Sequence, residues 1–218
     1  MRDREIERVC IVGAGFMGIQ IAVQCALHGV PVRLADVSAA ALAQAAQAQS
    51  ELLEQRVAAG ELEPARARAA LARIAPNTDL RAAVADVDLV IEAVPERLDL
   101  KRQVFGQLDA LCAPSTILAT NSSSLRVSLI EDATARPERV LNLHFYAPVW
   151  QRTMADLQRG TATSDETFER ARRFVTRIGC TPLLVQREST GFCFNRVWRA
   201  VKRECLHLVD EGVASYED

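Results

Sequence analysis

The clearest chemical pattern in the sequence is the loop Gly13-Ala14-Gly15-Phe16-Met17-Gly18, followed by an acid at Asp36. Glycines at these positions permit a tight turn, let backbone N–H groups reach a pyrophosphate and allow a helix to pack on the preceding strand. A carboxylate at Asp36 would accept hydrogen bonds from ribose hydroxyls and repel a 2′-phosphate. The pattern therefore predicts a dinucleotide site that favours NAD over NADP. The expected cofactor contacts here are Gly13, Gly15, Phe16, Met17, Gly18 and Asp36.

Such a loop on its own is common as an ordinary turn, and the surrounding elements are what favour the cofactor site. His144, at the end of another apolar run, is the candidate acid/base because imidazole exchanges a proton near neutral pH. Taken alone, a histidine at a strand end is more often a satisfied core or surface side chain, so both interpretations stay open. The cysteines lack the spacing of a metal site, and we expect structural thiols and no metal.

Alternating β-favouring and helical runs must position these residues. Strands are predicted at residues 9–12, 32–35, 88–94, 116–120, 140–145, 154–157 and 182–185. Helices are predicted after the glycine loop, twice within 38–74 with a break near Gly60 and Pro64, and at 98–112 and 165–178. This alternation predicts an α/β fold with a Rossmann-type, doubly wound, mainly parallel sheet.

The end of the sequence has a different character. A last helix is predicted from 191 to about 213, and Ser215 with Glu217 resembles the cap and acidic first turn of a further helix. We therefore expect residues 1–188 to form the cofactor domain and residues 189–218 to begin a helical C-terminal domain that is cut short. The last helix is too apolar to stand alone, so one face should dock on the domain and another should meet a partner chain in a homodimer.

Composition excludes several classes of partner. The 218 residues are 49% hydrophobic, which supplies a core, and the net charge is -2. Basic and acidic residues are mixed without a cationic stripe, so neither nucleic acid nor a membrane is expected as a partner. The first residues lack the pattern of a signal peptide, and we expect a cytoplasmic location.

Several strings, in this order and spacing, resemble the 3-hydroxyacyl-CoA dehydrogenase family along nearly the whole chain. They are GAGFMG, the acid at Asp36, EAVPE at 92–96 followed by Lys101, TNSSSL at 120–125, LHFYAP at 143–148 and GFCFNR at 191–196. The resemblance implies an NAD-dependent enzyme of fatty acid metabolism. Its substrate would be a 3-hydroxyacyl thioester on CoA or a carrier, or a related 3-hydroxy acid, oxidised to the 3-oxo compound.

By this resemblance His144 is the catalytic acid/base. The family places an orienting glutamate twelve residues later, where this chain has Asp156. The shorter side chain loses about 1.5 Å of reach, so the pair is expected to need a compensating shift of the strand. An exposed aspartate on an edge strand is the alternative.

The same resemblance assigns the remaining site residues. Ser123 and Asn195 would polarise the substrate oxygen or contact the nicotinamide side, while Ala93, Glu96 and Lys101 would contact the cofactor. Ser123 could instead cap a following helix, and the two charged residues could be ordinary charges at a helix start.

Two other departures from the family pattern leave the substrate open. Ala147 stands where the family usually has an asparagine beside the nicotinamide, and the helices of 38–74 hold no lysine for the CoA nucleotide. Arg152 could pair with a carboxylate or phosphate of a smaller or carrier-linked substrate, or could simply be solvated. The second hypothesis is therefore an NAD(H)-binding protein without turnover, a sensor or structural homologue.

Overall fold

The computed structural model describes residues 5–217, and these contain one sheet with helices on both faces. The strands are β1 (Val9–Val12), β2 (Val32–Ala35), β3 (Ile74–Asn77), β4 (Leu89–Glu92), β5 (Ile117–Thr120), β6 (Val140–Phe145), β7 (Met154–Arg159) and β8 (Thr181–Val185). The helices are α1 (Phe16–Leu27), α2 (Ala39–Ala58), α3 (Pro64–Leu71), α4 (Leu80–Val84), α5 (Leu98–Leu111), α6 (Asp165–Arg177) and α7 (Phe194–Asp210). The predicted Rossmann-type, mainly parallel sheet is confirmed.

Strand order determines where a ligand can bind. The sheet runs β3-β2-β1-β4-β5-β6-β7-β8, and only the β6–β7 pairing is antiparallel among the described strands. Connections leave β1 toward β2 and later return to β4 on its other side, so the order reverses between β1 and β4. In open α/β sheets the crevice at such a reversal, beyond the carboxyl ends of the strands, is the usual ligand site. The glycine loop follows β1 at this point.

Buried strands separate two apolar cores. On β1, Val9 and Ile11 face the core beneath α1 and α6, whereas Cys10 and Val12 face the core beneath α4 and α5. This alternation follows from the period of two along a strand. Both faces of β1 are therefore covered, which explains why the parallel strands read as continuous apolar runs.

Two elements between residues 72 and 85 were not predicted from the sequence. β3 is an edge strand that pairs only with β2 among the described strands, and its middle residues, Ala75 and Pro76, are exposed. Proline is tolerated at such an edge, but within so short a sequence it argues against a strand. α4 has 5 residues, which is too short to show a helical period.

Burial separates the cysteines into two groups. Cys10, Cys25, Cys112 and Cys180 are buried, and burial raises the pKa of Cys10 to about 12. Cys193 and Cys205 are exposed, so the expectation of buried structural thiols is wrong for these two. Among residues 5–217, no cluster of side chains suited to a metal ion occurs and no helix could cross a membrane.

Helix α7 behaves differently from the prediction. It begins at Phe194, and none of its residues is buried. In its first turn the Phe194 ring packs against Tyr146, and the Asn195 amide donates to the Ser123 carbonyl. The expectation that one face of this helix docks on the domain is therefore wrong beyond the first turn, and Val197, for example, remains 64% exposed.

Candidate active site

Close packing explains the glycines of the loop after β1. Gly13 has φ +109°, and a Cβ there would lie 2.7 Å from the Ala93 carbonyl oxygen. A Cβ on Gly18 would lie 1.9 Å from the Gly13 carbonyl oxygen. Space around Gly15, the N-cap of α1, is open, as a pyrophosphate would require. The loop has the shape of a dinucleotide cradle.

Asp36 lies beside this loop at the end of β2. Its carboxylate accepts hydrogen bonds from the Ala14 and Ser38 backbone N–H groups, both at 2.9 Å. Arg33 does not neutralise it, because the guanidinium donates to the Ala82 and Ala83 carbonyls instead. The loop, Asp36 and Ala93 line a cleft of about 700 Å³ that would take the adenosine half of the cofactor.

Replacement of Asp36 gives a direct test of cofactor choice. NADH should bind at least about tenfold more tightly than NADPH, because the 2′-phosphate would lie against a fixed carboxylate. Asp36→Ala should narrow this gap, measured by fluorescence titration of both nucleotides. Glu51→Ala makes the same charge change on the exposed side of α2 and should leave the gap unchanged. Equal affinities in the unaltered protein would contradict the assignment of the acid to the ribose.

A second, smaller cavity adjoins the cleft. It measures about 410 Å³ and shares Met17, Ala93 and Val94 with the cleft. The other lining residues are Glu96, Lys101, Asn121, Ser123, His144, Phe145, Tyr146, Ala147 and Asn195. Every polar site residue predicted from the sequence except Asp36 and Asp156 therefore lines one cavity, and Asp156 contacts its wall through His144.

His144 and Asp156 are brought together by the antiparallel pairing of β6 with β7. They are directly opposed in the register, and His144 Nδ1 lies 3.1 Å from Asp156 Oδ2. Asp156 is fully buried because β8, not β7, forms the sheet edge. The alternative of an exposed aspartate on an edge strand is thus wrong. This contact leaves His144 Nε2 as the ring nitrogen available to the cavity.

Ser123 does not cap a helix. The segment after it forms short 3₁₀ turns, the first at Val127–Leu129, and Ser122 rather than Ser123 accepts the Leu125 N–H. Ser123 is exposed to the cavity, and its carbonyl accepts from Asn195 Nδ2 at 3.5 Å. The structure therefore brings the two predicted polar residues side by side.

Lys101 belongs to a buried ion pair that the sequence did not reveal. Its ammonium lies 2.7 Å from Glu92 Oε1 and 3.4 Å from Glu96 Oε2. Lys101 and Glu92 are 1% and 0% exposed, and Thr120 donates to the second oxygen of Glu92. Breaking such a buried pair costs about 3–5 kcal/mol, which explains how a lysine is held at the cavity wall. The alternative of an ordinary charge at a helix start is wrong for Lys101.

Glu96 completes this cluster at the cavity surface. Burial acts to raise the pKa of Glu96, but hydrogen bonds from Ser122 and Ser124 and the charge of Lys101 outweigh it, so the pKa lies below its usual range. Glu96 is therefore ionised near neutral pH and can accept hydrogen bonds from a ribose. Glu92, Asn121 and Tyr146 also belong to this site and were given no role from the sequence. The only signal for them was their position inside the quoted strings.

Comparison with known proteins finds one family that matches most of the chain. Residues 8–189 match the model of the family described as 3-hydroxyacyl-CoA dehydrogenase, NAD binding domain. The chain belongs to this family. The match also confirms NAD as the cofactor, since the matched region is the family's NAD-binding domain.

The relatives in this family are longer than the chain to different extents. The chain is 38% identical to the 3-hydroxyadipyl-CoA dehydrogenase of Escherichia coli (strain K12), and the match spans 97% of this chain but 44% of that relative. It is 35% identical to the 3-hydroxybutyryl-CoA dehydrogenase of Bradyrhizobium diazoefficiens, and that match spans 97% of this chain and 72% of the relative. The crystal structure of FadB2 from M. tuberculosis superposes with a TM-score of 0.94 at 32% identity, over 99% of this chain and 75% of that one.

Proposed function

We propose that the protein is an NAD-dependent dehydrogenase that oxidises the 3-hydroxyl of a 3-hydroxyacyl thioester, or of a related 3-hydroxy acid, to the 3-oxo compound. The observation that carries this proposal is the His144–Asp156 pair in the wall of a cavity that adjoins the dinucleotide cleft. A proton acceptor thus lies beside the place where a nicotinamide would end.

His144 would act as the general base. Nε2 removes the proton of the substrate hydroxyl, while bound NAD supplies the hydride acceptor. Asp156 accepts a hydrogen bond from Nδ1, which keeps the free electron pair on Nε2 and stabilises the positive charge that the imidazole gains. The protonated ring returns the proton in the reverse direction.

Other cavity residues would orient the reactants. Ser123 and Asn195 lie where a hydroxyl and an amide can hydrogen-bond the substrate oxygen as it becomes a carbonyl. Glu96 and Lys101, held by Glu92 and the serine turn, would position the ribose and carboxamide of the nicotinamide. Ala147 lines the same cavity and supplies no hydrogen bond from its side chain.

The reaction is tested by a substrate panel. Purified protein should reduce NAD when it is given 3-hydroxyacyl-CoA, carrier-linked 3-hydroxyacyl or free 3-hydroxy acid substrates. The NADH that forms is measured by its absorbance. Arg152 is exposed beside a cavity of about 710 Å³ next to Tyr146, so carboxylated and uncarboxylated acyl chains belong in the panel. Stoichiometric NADH binding with no turnover on any substrate would favour a non-catalytic NAD(H)-binding homologue instead.

The domain division and the oligomeric state belong to the proposal as well. We place the NAD-binding domain at residues 1–188 and the start of a helical domain at 189–218, which fits the exposed apolar side chains of α7. A second copy covering α7 would give a homodimer. The free cysteines suit the reducing conditions of a cytoplasmic location.

Sedimentation velocity tests the dimer. At about 30 μM the protein should sediment as a dimer or form larger species, because α7 leaves Val197 and Trp198 in water. Val197→Asp should shift it toward monomer, whereas Glu204→Gln, an exposed charge change on the same helix, should not. A well-behaved monomer of the unaltered protein would contradict the proposal.

A further inference from the structure

The carboxylate that orients His144 has a second donor. The Tyr146 hydroxyl donates a hydrogen bond to Asp156 Oδ2, the same oxygen that receives His144 Nδ1. Tyr146 is 5% exposed and Asp156 is 0% exposed, so water competes little with this contact. One carboxylate oxygen thus serves two side chains of the site.

The geometry makes Tyr146 a fixed donor. Tyr146 follows His144 by two residues, and their rings meet edge to face with centroids 4.5 Å apart. On its other side the tyrosine ring packs against Phe194, with centroids 4.9 Å apart. Burial, together with Asp156, raises the pKa of Tyr146 far above its usual range, so the hydroxyl keeps its proton at any pH used for assay.

Asp156 has few other constraints. Its second oxygen, Oδ1, is buried and has no hydrogen-bond partner among the described residues. The side chain is also shorter than the glutamate implied by the family resemblance, and it gains its second anchor from the tyrosine. Without that anchor, the negative charge of Oδ2 would act on the imidazole alone.

We propose that Tyr146 is a positioning residue that shares Asp156 Oδ2 with His144, holding the carboxylate in place and lowering the basicity of the imidazole. This inference rests on the proposed role of His144 as the general base. Hydrogen bonds to an ionised acceptor are the strong ones, so a second donor withdraws an appreciable part of the charge that would otherwise stabilise the imidazolium.

Other titratable groups face this pair from neighbouring elements. Cys193, in the segment before α7, lies near Tyr146. Glu96 and Lys101 line the small cavity that His144 and Tyr146 also line. Among the contacts described for residues 5–217, only His144 and Tyr146 donate to the carboxylate of Asp156. A change at the tyrosine hydroxyl should therefore reach His144 through Asp156.

Tyr146→Phe tests the proposal. We expect kcat to fall roughly three- to tenfold, with the KM for NAD unchanged, and the acidic limb of the kcat/KM profile to move up by about half a pH unit. The sign follows because the imidazolium is better stabilised when Asp156 Oδ2 no longer shares its charge, and the neutral base then forms only at higher pH. Phe194→Leu, which alters the ring packing but keeps the hydroxyl, should leave that limb in place.

A labelling experiment changes the hydroxyl without changing the packing. The sequence has 2 tyrosines, so in a Tyr216→Phe background a fluorinated tyrosine labels position 146 alone. Fluorination makes the phenol a stronger donor, and the acidic limb should move down, opposite to Tyr146→Phe. An unchanged profile in both proteins would overturn the proposal even if their stability fell.

A third measurement does not depend on turnover. In the NADH-bound protein, the proton on His144 Nδ1 should give a downfield NMR resonance that is lost in His144→Gln. Tyr146→Phe should move that resonance further downfield, because the remaining hydrogen bond to Asp156 strengthens. If no substrate of the panel is oxidised but Tyr146→Phe shifts the resonance, only the proposed reaction is rejected. If Tyr146→Phe does not shift the resonance, the proposed role of Tyr146 is rejected.

Discussion

His144→Ala is expected to lower kcat by about two to four orders of magnitude, the usual contribution of a positioned acid/base, while NADH affinity stays nearly unchanged. The imidazole lines the small cavity and not the cleft beside the glycine loop, so its loss should remove the proposed proton transfer and leave cofactor binding in the cleft undisturbed. Stopped-flow or steady-state assays give kcat, and fluorescence titration gives the affinity.

His28→Ala is the matched control for this experiment. His28 is an exposed histidine at the end of α1, where its Nδ1 lies 2.9 Å from the Gln24 carbonyl oxygen, and it does not line the small cavity. Its replacement should leave kcat within about twofold of the unaltered protein, as is usual for an exposed site. If His144→Ala keeps most of its turnover, another group must be the base.

Asp156→Asn should reduce kcat by a comparable factor, about two to four orders of magnitude. The amide carries no charge to stabilise the imidazolium, and its N–H₂ group can present a donor where His144 Nδ1 needs an acceptor. The consequence is a ring whose proton lies on the wrong nitrogen for attack on the substrate hydroxyl. Turnover of the variant measured across pH, alongside NADH affinity, checks this expectation.

Asp156→Glu separates charge from reach. A glutamate keeps the charge, so turnover within about tenfold of the unaltered protein, or above it, is expected. Asp132→Asn is the matched control for Asp156→Asn. It removes an exposed carboxylate that pairs with Arg102 away from the cavity, and it should not lower kcat by a comparable factor. A silent Asp156→Asn would mean that the contact with His144 does not serve catalysis.

Most of the fold was predictable because its signals are local. Apolar runs such as that of β6 and the break between α2 and α3 were predicted from composition and turn residues, and β6 agrees at both ends. β3 and α4 were missed because each is too short and too exposed to show a period. The relation of α7 to the domain was also misjudged, since sequence shows an apolar face but not what lies opposite it.

The candidate site divides in the same way. The cofactor half depends on short-range sterics, because a turn with φ +109° at Gly13 and an acid ending the next strand are fixed within one βαβ unit. The catalytic half depends on partners distant in the chain. Glu92 could not be singled out, since its meaning comes from the burial of Lys101 on a different element.

The sequence alone predicted a cofactor cleft at the end of β1, an acid beside it at Asp36, and His144, which lies near the end of β6, as the candidate base. Only the tertiary structure decided that Asp156 is buried opposite His144 and that Tyr146 shares its oxygen. The physical reason is that loop and strand patterns follow from backbone geometry within a few residues. Contacts between side chains on neighbouring strands depend instead on register, side-chain length and the strand that covers them, all of which the whole sheet sets together.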